Sequence, residues 1–173
     1  MIAKVNTAAL NGLTPLMVFI EVSSRQQKPH EIGQSFIMVG LPDNAVRESR
    51  MRVETALSTL SLSLPPRIAY KVNFAPADVR KEGSGYDLPL AIGMLASLEQ
   101  IRLPLLEKTV LLGELGFDGS IRPIKGALPI AIKARAEGFE HLIVPKANVR
   151  EAAVVNKIKV YGADNLRQVV DFL

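Results

Sequence analysis

The sequence lacks several features that would assign it to a well-defined class. It contains no cysteine, which excludes disulfide bonds and every metal site built on thiolate ligands. The longest stretch without charge near the middle of the chain, residues 88–98, has 11 residues, about half of the roughly 20 that a membrane-spanning helix needs. Residues 1–4 lead into a strand-like pattern and not into a signal peptide. We therefore expect a cytoplasmic protein with no membrane partner.

Metal ligands and a serine–histidine–aspartate triad are also missing from the pattern. The two histidines, His30 and His141, lie far apart, and no acidic cluster has the spacing of metal ligands. His30 falls in a predicted loop, whereas His141 falls at the edge of a predicted strand, where a structural role is expected. Ser84 has no histidine near it in sequence. We predict no metal site and no such triad.

A nucleotide-binding P-loop is absent as well. The one lysine followed by serine or threonine is Lys108, before Thr109, and no glycines precede it at the required spacing. The segment Gly83-Ser84-Gly85 stands before a predicted helix and has two interpretations. It is either a simple turn or a loop whose backbone N–H groups approach an anion.

What is present describes one globular domain of mixed secondary structure. The 173 residues are 48% hydrophobic and 22% charged, enough to form a substantial core. Periodicity and turn residues predict strands at residues 3–8, 16–22, 36–40, 68–74, 109–115, 120–123, 141–144 and 157–161. They predict helices at residues 43–60, 88–100, 127–137, 149–155 and 164–173, the second of them central, and a loop at residues 23–34. Asp43 or Asn44 is expected to cap the first helix and Asp87 the second, and residues 117–120 are expected to form a hairpin turn. The mixed order indicates an α/β (α+β) fold.

Basic residues cluster beside the glycine-rich turns, in a chain of net charge +4. Arginines also crowd the helix predicted at residues 43–60, at Arg47, Arg50 and Arg52. Glutamates interleave with both groups, so a solvated surface and a phosphate contact remain as alternatives. The candidate nucleic-acid-binding residues are Arg80, Lys81, Arg122 and Lys125.

Several long motifs, in the same order, resemble one family. They are VGLPD at residues 39–43 with VRESR at 46–50, NFAPAD at 73–78, RKEGSGYDLP at 80–89, GEL at 113–115, GSIRP at 119–123, AEGF at 136–139 and IVP at 143–145. Together they resemble the N-terminal domain of the ComM/YifB family, the magnesium-chelatase-subunit-like AAA+ ATPases of bacteria. The resemblance covers nearly the whole chain.

The resemblance implies a Lon-protease-like domain of the ribosomal protein S5 domain 2-like fold, over residues 1–173. Lon-type peptidases use a serine and a lysine, and aligned with them this chain has Gly85 in the place of the serine and Leu128 in the place of the lysine. It therefore implies a non-catalytic pseudo-peptidase. Two alternatives stay open: a peptidase of shifted register that uses Ser84 and Lys125, and a pure protein-interaction module.

The resemblance also implies the wider function. We expect an accessory domain that supports ring assembly and DNA handling, in helicase or branch-migration activity during natural transformation. The expected partners are the protein's own AAA+ module, further copies of the same protein in a hexamer, and DNA. The AAA+ module is expected downstream of this chain, with ATP and magnesium as its cofactors. No cofactor is expected in residues 1–173.

Overall fold

The computed structural model describes residues 2–28, 35–62, 64–99 and 101–173. Within them lie the strands β1 Ile2–Asn11, β2 Thr14–Gln26, β3 Phe36–Val39, β4 Ile68–Ala75, β5 Thr109–Leu111, β6 Glu114–Leu115, β7 Ile121–Arg122, β8 His141–Pro145 and β9 Lys159–Ala163. The helices are α1 Asn44–Thr59, α2 Asp87–Ser97, α3 Ala127–Ala136, α4 Val149–Ala152 and α5 Leu166–Phe172, with 3-10 turns at Leu106–Lys108 and Lys146–Asn148. The alternation confirms the predicted α/β class.

Seven of the strands form one mixed sheet in the order β3-β4-β2-β1-β5-β8-β9. The pairs β1–β2 and β2–β4 are antiparallel, and the other four neighbouring pairs are parallel. The strands β6 and β7 form a separate antiparallel hairpin. This mostly parallel sheet with helices is consistent with the expected S5-like fold.

Helices cover both faces of the sheet, as the alternation of strand side chains requires. Leu111 and Ile143 belong to the apolar cluster that contains α1, α2 and α5 residues. Their neighbours Val110 and Leu142 belong to the cluster that contains α3 and α4 residues. Successive residues of β5 and β8 therefore point into different cores, and both strands are buried throughout.

Helix α2 is the centre of the larger core. All of its residues are buried, and it packs against β1, β2 and α1. Gly93 permits the closest approach, since a Cβ there would lie 2.7 Å from Val22 Cγ2. This confirms the prediction of a central helix. The predicted cap is wrong, because Tyr86 holds the cap position without a side-chain bond and Asp87 is the first helical residue.

Helix α1 agrees closely with the cap and the apolar positions that the sequence predicts. Asp43 caps it by accepting a hydrogen bond of 2.8 Å from the Val46 N–H, as the sequence predicts. The side chains of Val53 and Leu57 point into the core. The opposite face carries most of the charged residues of the helix and borders one of the two surfaces described below.

Other boundaries differ from the predictions because tertiary pairing decides them. Strand β2 extends through residues 23–26, predicted as a loop, because β4 pairs with it there. The strand predicted at residues 109–115 is interrupted at Gly113, whose N–H and carbonyl bond to Gly85 and Leu88. His30 and residues 29–34 lie outside the described residues. In the part of the chain that is described, no helix is long and apolar enough to cross a membrane.

Candidate functional site

A cleft of about 610 Å³ opens beside the segment 82–86, which we call the glycine loop. The end of β1 and the hairpin turn after it form one wall, and the β7–α3 connection forms another. The glycine-loop cleft is lined by Ala8, Ala9, Leu10, Gly12, Glu82, Gly83, Ser84, Gly85, Tyr86, Leu112, Glu114, Pro123, Ile124, Lys125 and Ile130. Its floor is apolar, and its charged groups lie at the rim.

Backbone bonds on two sides hold the glycine loop in place. The Gly83 N–H donates to Asp43 Oδ2 at 3.2 Å, which ties the loop to the start of α1. The Gly85 carbonyl accepts from the Gly113 N–H at 3.1 Å, which ties it to the chain after β5. Gly83 has a φ of +86°, a conformation that favours glycine. The loop is therefore a fixed element, and its first glycine has a backbone reason.

At Gly85, by contrast, the backbone conformation does not require a glycine. Its φ lies outside the left-handed region, and a Cβ at this position would have Ile124 Cγ2, at 3.9 Å, as its nearest neighbour. A side chain would fit and would point toward the cleft. Leu128, in the first turn of α3, packs against the smaller apolar cluster, and its N–H donates to Glu151. The positions that resemble a catalytic pair hold neither a hydroxyl nor an amine.

Ser84 has a different partner from the one a serine–lysine mechanism needs. Its hydroxyl donates to Glu114 Oε2, and Arg122 binds the other oxygen of that carboxylate at 2.9 Å. The hydrogen bond from Ser84, followed by the contact with Arg122, lowers the pKa of Glu114. A carboxylate with a lowered pKa is a poor general base at neutral pH.

Lys125, the other half of the shifted pair, lines the same cleft. It is exposed and has neither a hydrogen bond nor an ion pair with any residue that the structure describes. The structure thus brings Ser84 and Lys125 to one cleft but pairs the Ser84 hydroxyl with Glu114. A serine–lysine mechanism requires the lysine amine to take the proton of the serine hydroxyl, and the Ser84 hydroxyl instead donates to Glu114.

Asp87, two residues after Gly85, is the acceptor of a buried network. It is fully buried and accepts hydrogen bonds from Ser49 Oγ, from Arg52 Nε at 2.6 Å and from the Leu115 N–H at 3.1 Å. Burial raises the pKa of Asp87, and the bonds from Arg52 and Ser49 oppose that rise. The hydrogen bond with Asp87 raises the pKa of Arg52. The network joins α1, α2 and β6.

Sequence reasoning missed this network. The periodicity of α1 places Arg52 with its charged neighbours on the solvent side of the helix, and the sequence predicts Asp87 as a cap. The signal that could have found it is the carboxylate at the head of an otherwise apolar helix, since a buried acid requires donors. The sequence gives no indication of which donors supply them, because Ser49 and Arg52 are more than 30 residues away.

The four candidate nucleic-acid-binding residues lie in different settings. Lys81 is fully buried, and its ammonium donates to the carbonyls of Pro76 and of Val79, the latter at 2.6 Å. Burial lowers the pKa of Lys81. The charge of Lys81 therefore does not reach a phosphate at the surface, a placement that its neighbours in sequence did not indicate.

The other three candidates are exposed around the glycine-loop cleft. Arg80 pairs with Glu82 at 3.3 Å, and Arg122 pairs with Glu114 at 2.9 Å. Both glutamates line the cleft, as does Lys125. Exposed ion pairs contribute little to stability, so the two arginines can exchange their partners for another anion at small cost.

A second concave surface lies between α1 and the β6–β7 hairpin. This α1–hairpin groove has a volume of about 870 Å³. It is lined by Asn44, Arg47, Glu48, Arg50, Met51, Arg52, Leu115, Gly116, Phe117 and Arg122. Met51 and Phe117 are 68% and 55% exposed, which is high for apolar side chains of that size.

Metal ligands and histidine chemistry are not part of either surface. Among the described residues, no three histidine, aspartate or glutamate side chains are grouped as a metal site would require. His141 is buried, and its ring packs at centroid distances of 5.7 Å from Tyr161 and 6.2 Å from Phe172. These contacts give His141 a place in the core.

Comparisons with known proteins agree with the resemblance. The family described as Subunit ChlI of Mg-chelatase matches residues 21–148. The Competence protein ComM of Haemophilus influenzae is 37% identical over 172 residues, which cover 99% of this chain and 32% of that protein. Protein YifB of Salmonella typhimurium is 36% identical over 172 residues, 99% of this chain and 33% of that protein.

A more distant relative is named as a protease. The archaeal Lon protease of Thermococcus kodakarensis is 25% identical over 175 residues, which cover 98% of this chain and 27% of that protein. The chain thus spans about a third of the length of the curated relatives that it matches.

Proposed function

Because this chain belongs to the family of Mg-chelatase subunit ChlI, together with ComM and YifB, we propose that it is a non-catalytic accessory domain of an AAA+ ATPase ring that acts on DNA. One observation carries the proposal. A cleft lies at the glycine loop, yet Gly85 and Leu128 stand where the resemblance places a serine and a lysine. ATP and magnesium belong to the ATPase module in this proposal.

The chemistry of the cleft supports a non-catalytic role. A hydroxyl becomes a useful nucleophile when a nearby base removes its proton. The Ser84 hydroxyl instead donates to Glu114, a carboxylate whose pKa the contacts lower. The cleft therefore offers a concave surface for binding but contains no activated nucleophile for acyl transfer.

The DNA part of the proposal rests on the exposed cations at the cleft. Lys125 lies on the β7–α3 connection and lines the cleft. Arg122, at the end of β7, and Arg80 each pair with a glutamate that lines the same cleft. Contacts of this type read phosphate and not base sequence, so they suit a domain that guides DNA of any sequence. Lys81 takes no part, since its ammonium is bound to backbone carbonyls.

The dependence of DNA affinity on salt concentration tests the DNA contact. Each phosphate neutralised contributes about 0.7 to the log–log salt slope for a single strand and about 0.9 for a duplex. Replacing Arg122 and Lys125 together by alanine should flatten the slope by up to about 1.4 or about 1.8, respectively. The matched control replaces Lys71 and Lys159, exposed cations on β4 and β9, and should leave the slope unchanged. Equal slopes for both double variants would assign Arg122 and Lys125 to an ordinary solvated surface.

Ring assembly requires a separate experiment. In a protein that carries this chain together with its ATPase module, deleting residues 1–173 should weaken hexamer formation and DNA unwinding. Sedimentation analysis and a strand-displacement assay measure the two effects. If both are unchanged by the deletion, the accessory role is wrong.

The shifted-register peptidase keeps one observation in its favour, since Ser84 and Lys125 line one cleft. It requires that the chain hydrolyse an unfolded protein such as casein, and that Ser84→Ala abolish the hydrolysis. We expect no hydrolysis from either protein. A rate that falls in Ser84→Ala would replace the proposal of a non-catalytic domain.

A further inference from the structure

The α1–hairpin groove contains an exposed aromatic ring and several arginines. Of these arginines, only Arg122 takes part in the phosphate contact proposed above. We propose that this groove binds a single strand of nucleic acid, with one base stacked on the Phe117 ring and the adjacent phosphates on Arg47 and Arg122. The inference rests on the proposed DNA role and names the form of nucleic acid and the groove that would receive it.

The hairpin that presents Phe117 is fixed at several points. Asp118 Oδ1 accepts from the N–H and the hydroxyl of Ser120, at 3.0 Å and 2.6 Å. The Gly116 N–H donates to the Ser120 carbonyl at 2.9 Å, and the Leu166 N–H donates to the Gly119 carbonyl at 2.9 Å, which anchors the turn on α5. The ring nevertheless stays 55% exposed. An exposed ring on an ordered turn meets a base with little loss of conformational entropy.

The lining of the groove is rich in arginine. Four of its ten residues are arginines, and its one acidic residue is Glu48. Glu54, Asp87 and Glu114, which pair with Arg50, Arg52 and Arg122, do not belong to the lining. Arg47 is exposed and has no partner among the described residues. The groove thus presents guanidinium groups to its contents, which complements a phosphate backbone.

Stacking distinguishes a single strand from a duplex. Both faces of a base inside a duplex are covered by neighbouring bases, whereas the bases of a single strand can leave the stack and meet a side-chain ring. Met51 also lines the groove and is 68% exposed, so it offers a second apolar surface to such a base. A groove with arginines and an aromatic ring is the arrangement that binds single strands without sequence preference.

The absence of tryptophan allows a direct test of stacking. In Phe117→Trp the indole is the one tryptophan of the chain, and stacking on a base quenches indole fluorescence. We expect saturable quenching with a 12-residue oligo-thymidine and much weaker quenching with a hairpin duplex. The control is Val154→Trp, at a position 71% exposed that lies outside the groove lining, which should show no quenching. Equal quenching in both variants, or none at position 117, would overturn the inference.

Affinity gives an independent measurement. Removing one stacked base costs a factor of about 10 or more in affinity. Phe117→Leu should therefore weaken binding of the oligo-thymidine about tenfold at fixed salt, while duplex affinity and the circular dichroism spectrum stay unchanged. Equal losses for single strand and duplex would contradict stacking. Displacement of the oligo-thymidine by an acidic peptide at lower concentration would assign the groove to a protein partner instead.

The two proposals can fail separately. If Arg122→Ala with Lys125→Ala flattens the salt slope but Phe117→Leu binds both DNA forms normally, the DNA role stands and the stacking site is wrong. If the 173-residue chain binds neither DNA form at low salt, both fail for this chain.

Discussion

Two positions at the start of α2, residues 85 and 87, differ in almost every physical respect. At Asp87 every carboxylate oxygen is used, by donors from α1 and from β6, and the side chain has no exposed surface. At Gly85 nothing occupies the space where a side chain would stand, and the nearest atom lies 3.9 Å away. The residues that hold the cleft together are thus fixed by hydrogen bonds, whereas packing places no constraint on the position that would carry a nucleophile.

The comparison shows that the shape of the cleft and its chemical reactivity depend on different residues. The Asp87 network holds α1, α2 and β6 together and so fixes the glycine loop and Glu114 in space. None of this requires the cleft to perform a reaction. A domain of this kind can keep a binding surface while it lacks reactive groups, which is what the accessory role needs.

The largest effect is expected at the buried network. Asp87→Asn keeps the shape of the side chain but leaves Arg52, which is 19% exposed, without its counter-charge. Breaking a buried ion pair from one side costs about 3 kcal/mol or more of unfolding free energy. Chemical denaturation monitored by circular dichroism measures the loss. The control is Glu48→Gln, since Glu48 is 73% exposed and 3.8 Å from Arg52, and its change should stay within about 0.5 kcal/mol. Equal stabilities for the two variants would remove the contrast.

The two glycines that bond to each other should respond in opposite ways. A Cβ at Gly113 would lie 2.6 Å from Ile121 Cγ2, a methyl group of a β-branched side chain with little freedom to move. Gly113→Ala should therefore lower the unfolding free energy by about 2 kcal/mol through overpacking. Gly85→Ala should raise it by about 0.5 kcal/mol, because the open position accepts a methyl group and the unfolded chain loses freedom. Thermal unfolding of the pair measures both, and a loss in Gly85→Ala would mean that the position is constrained after all.

The smallest effect is expected at the rim of the cleft and depends on pH. The Ser84 hydroxyl holds the pKa of Glu114 below its ordinary 4.5. A lowered folded-state pKa gives stability that is present above the ordinary value and is lost as the pH falls through the lowered one. Ser84→Ala should therefore cost about 1 kcal/mol at pH 7, with the difference from the natural chain shrinking below pH 4.5.

Denaturation at several pH values checks this, with Ser58→Ala, an exposed residue of α1, as the control whose difference stays constant. A difference for Ser84→Ala that is independent of pH would mean that Glu114 does not sense the hydroxyl.

The sequence predicted those elements whose signals are local. The cap at Asp43, the turn at Gly119 and the apolar run of α2 each depend on neighbours within a few residues, and the structure confirms all three. The motifs also led to the family, because long segments agree at separated places. Predictions failed where a partner far along the chain decides. Residues 23–26 become a strand because β4 pairs with them, and Asp87 is buried because Arg52 reaches it.

The candidate site was predicted in outline and not in its contacts. The shifted-register alternative assigns Ser84 and Lys125 to one site, and both residues line the glycine-loop cleft, although the Ser84 hydroxyl is bound to Glu114. The sequence did not indicate that Lys81 turns inward, because the carbonyls that bind its ammonium come from the irregular segment after β4. The sequence also gives no indication of the α1–hairpin groove, because Phe117 lies in a predicted turn and Met51 on α1, more than 60 positions away along the chain.

The empty position at Gly85 has a practical consequence, because the chain has no cysteine. Gly85→Cys would create the one thiol of the chain, at a place where a Cβ fits and the cleft opens in front of it. A fluorophore or spin label attached there would report from inside the cleft alone, without background from other sites. Gly85→Cys would thus provide a single labelling site at which the binding of ligands or of neighbouring modules can be followed.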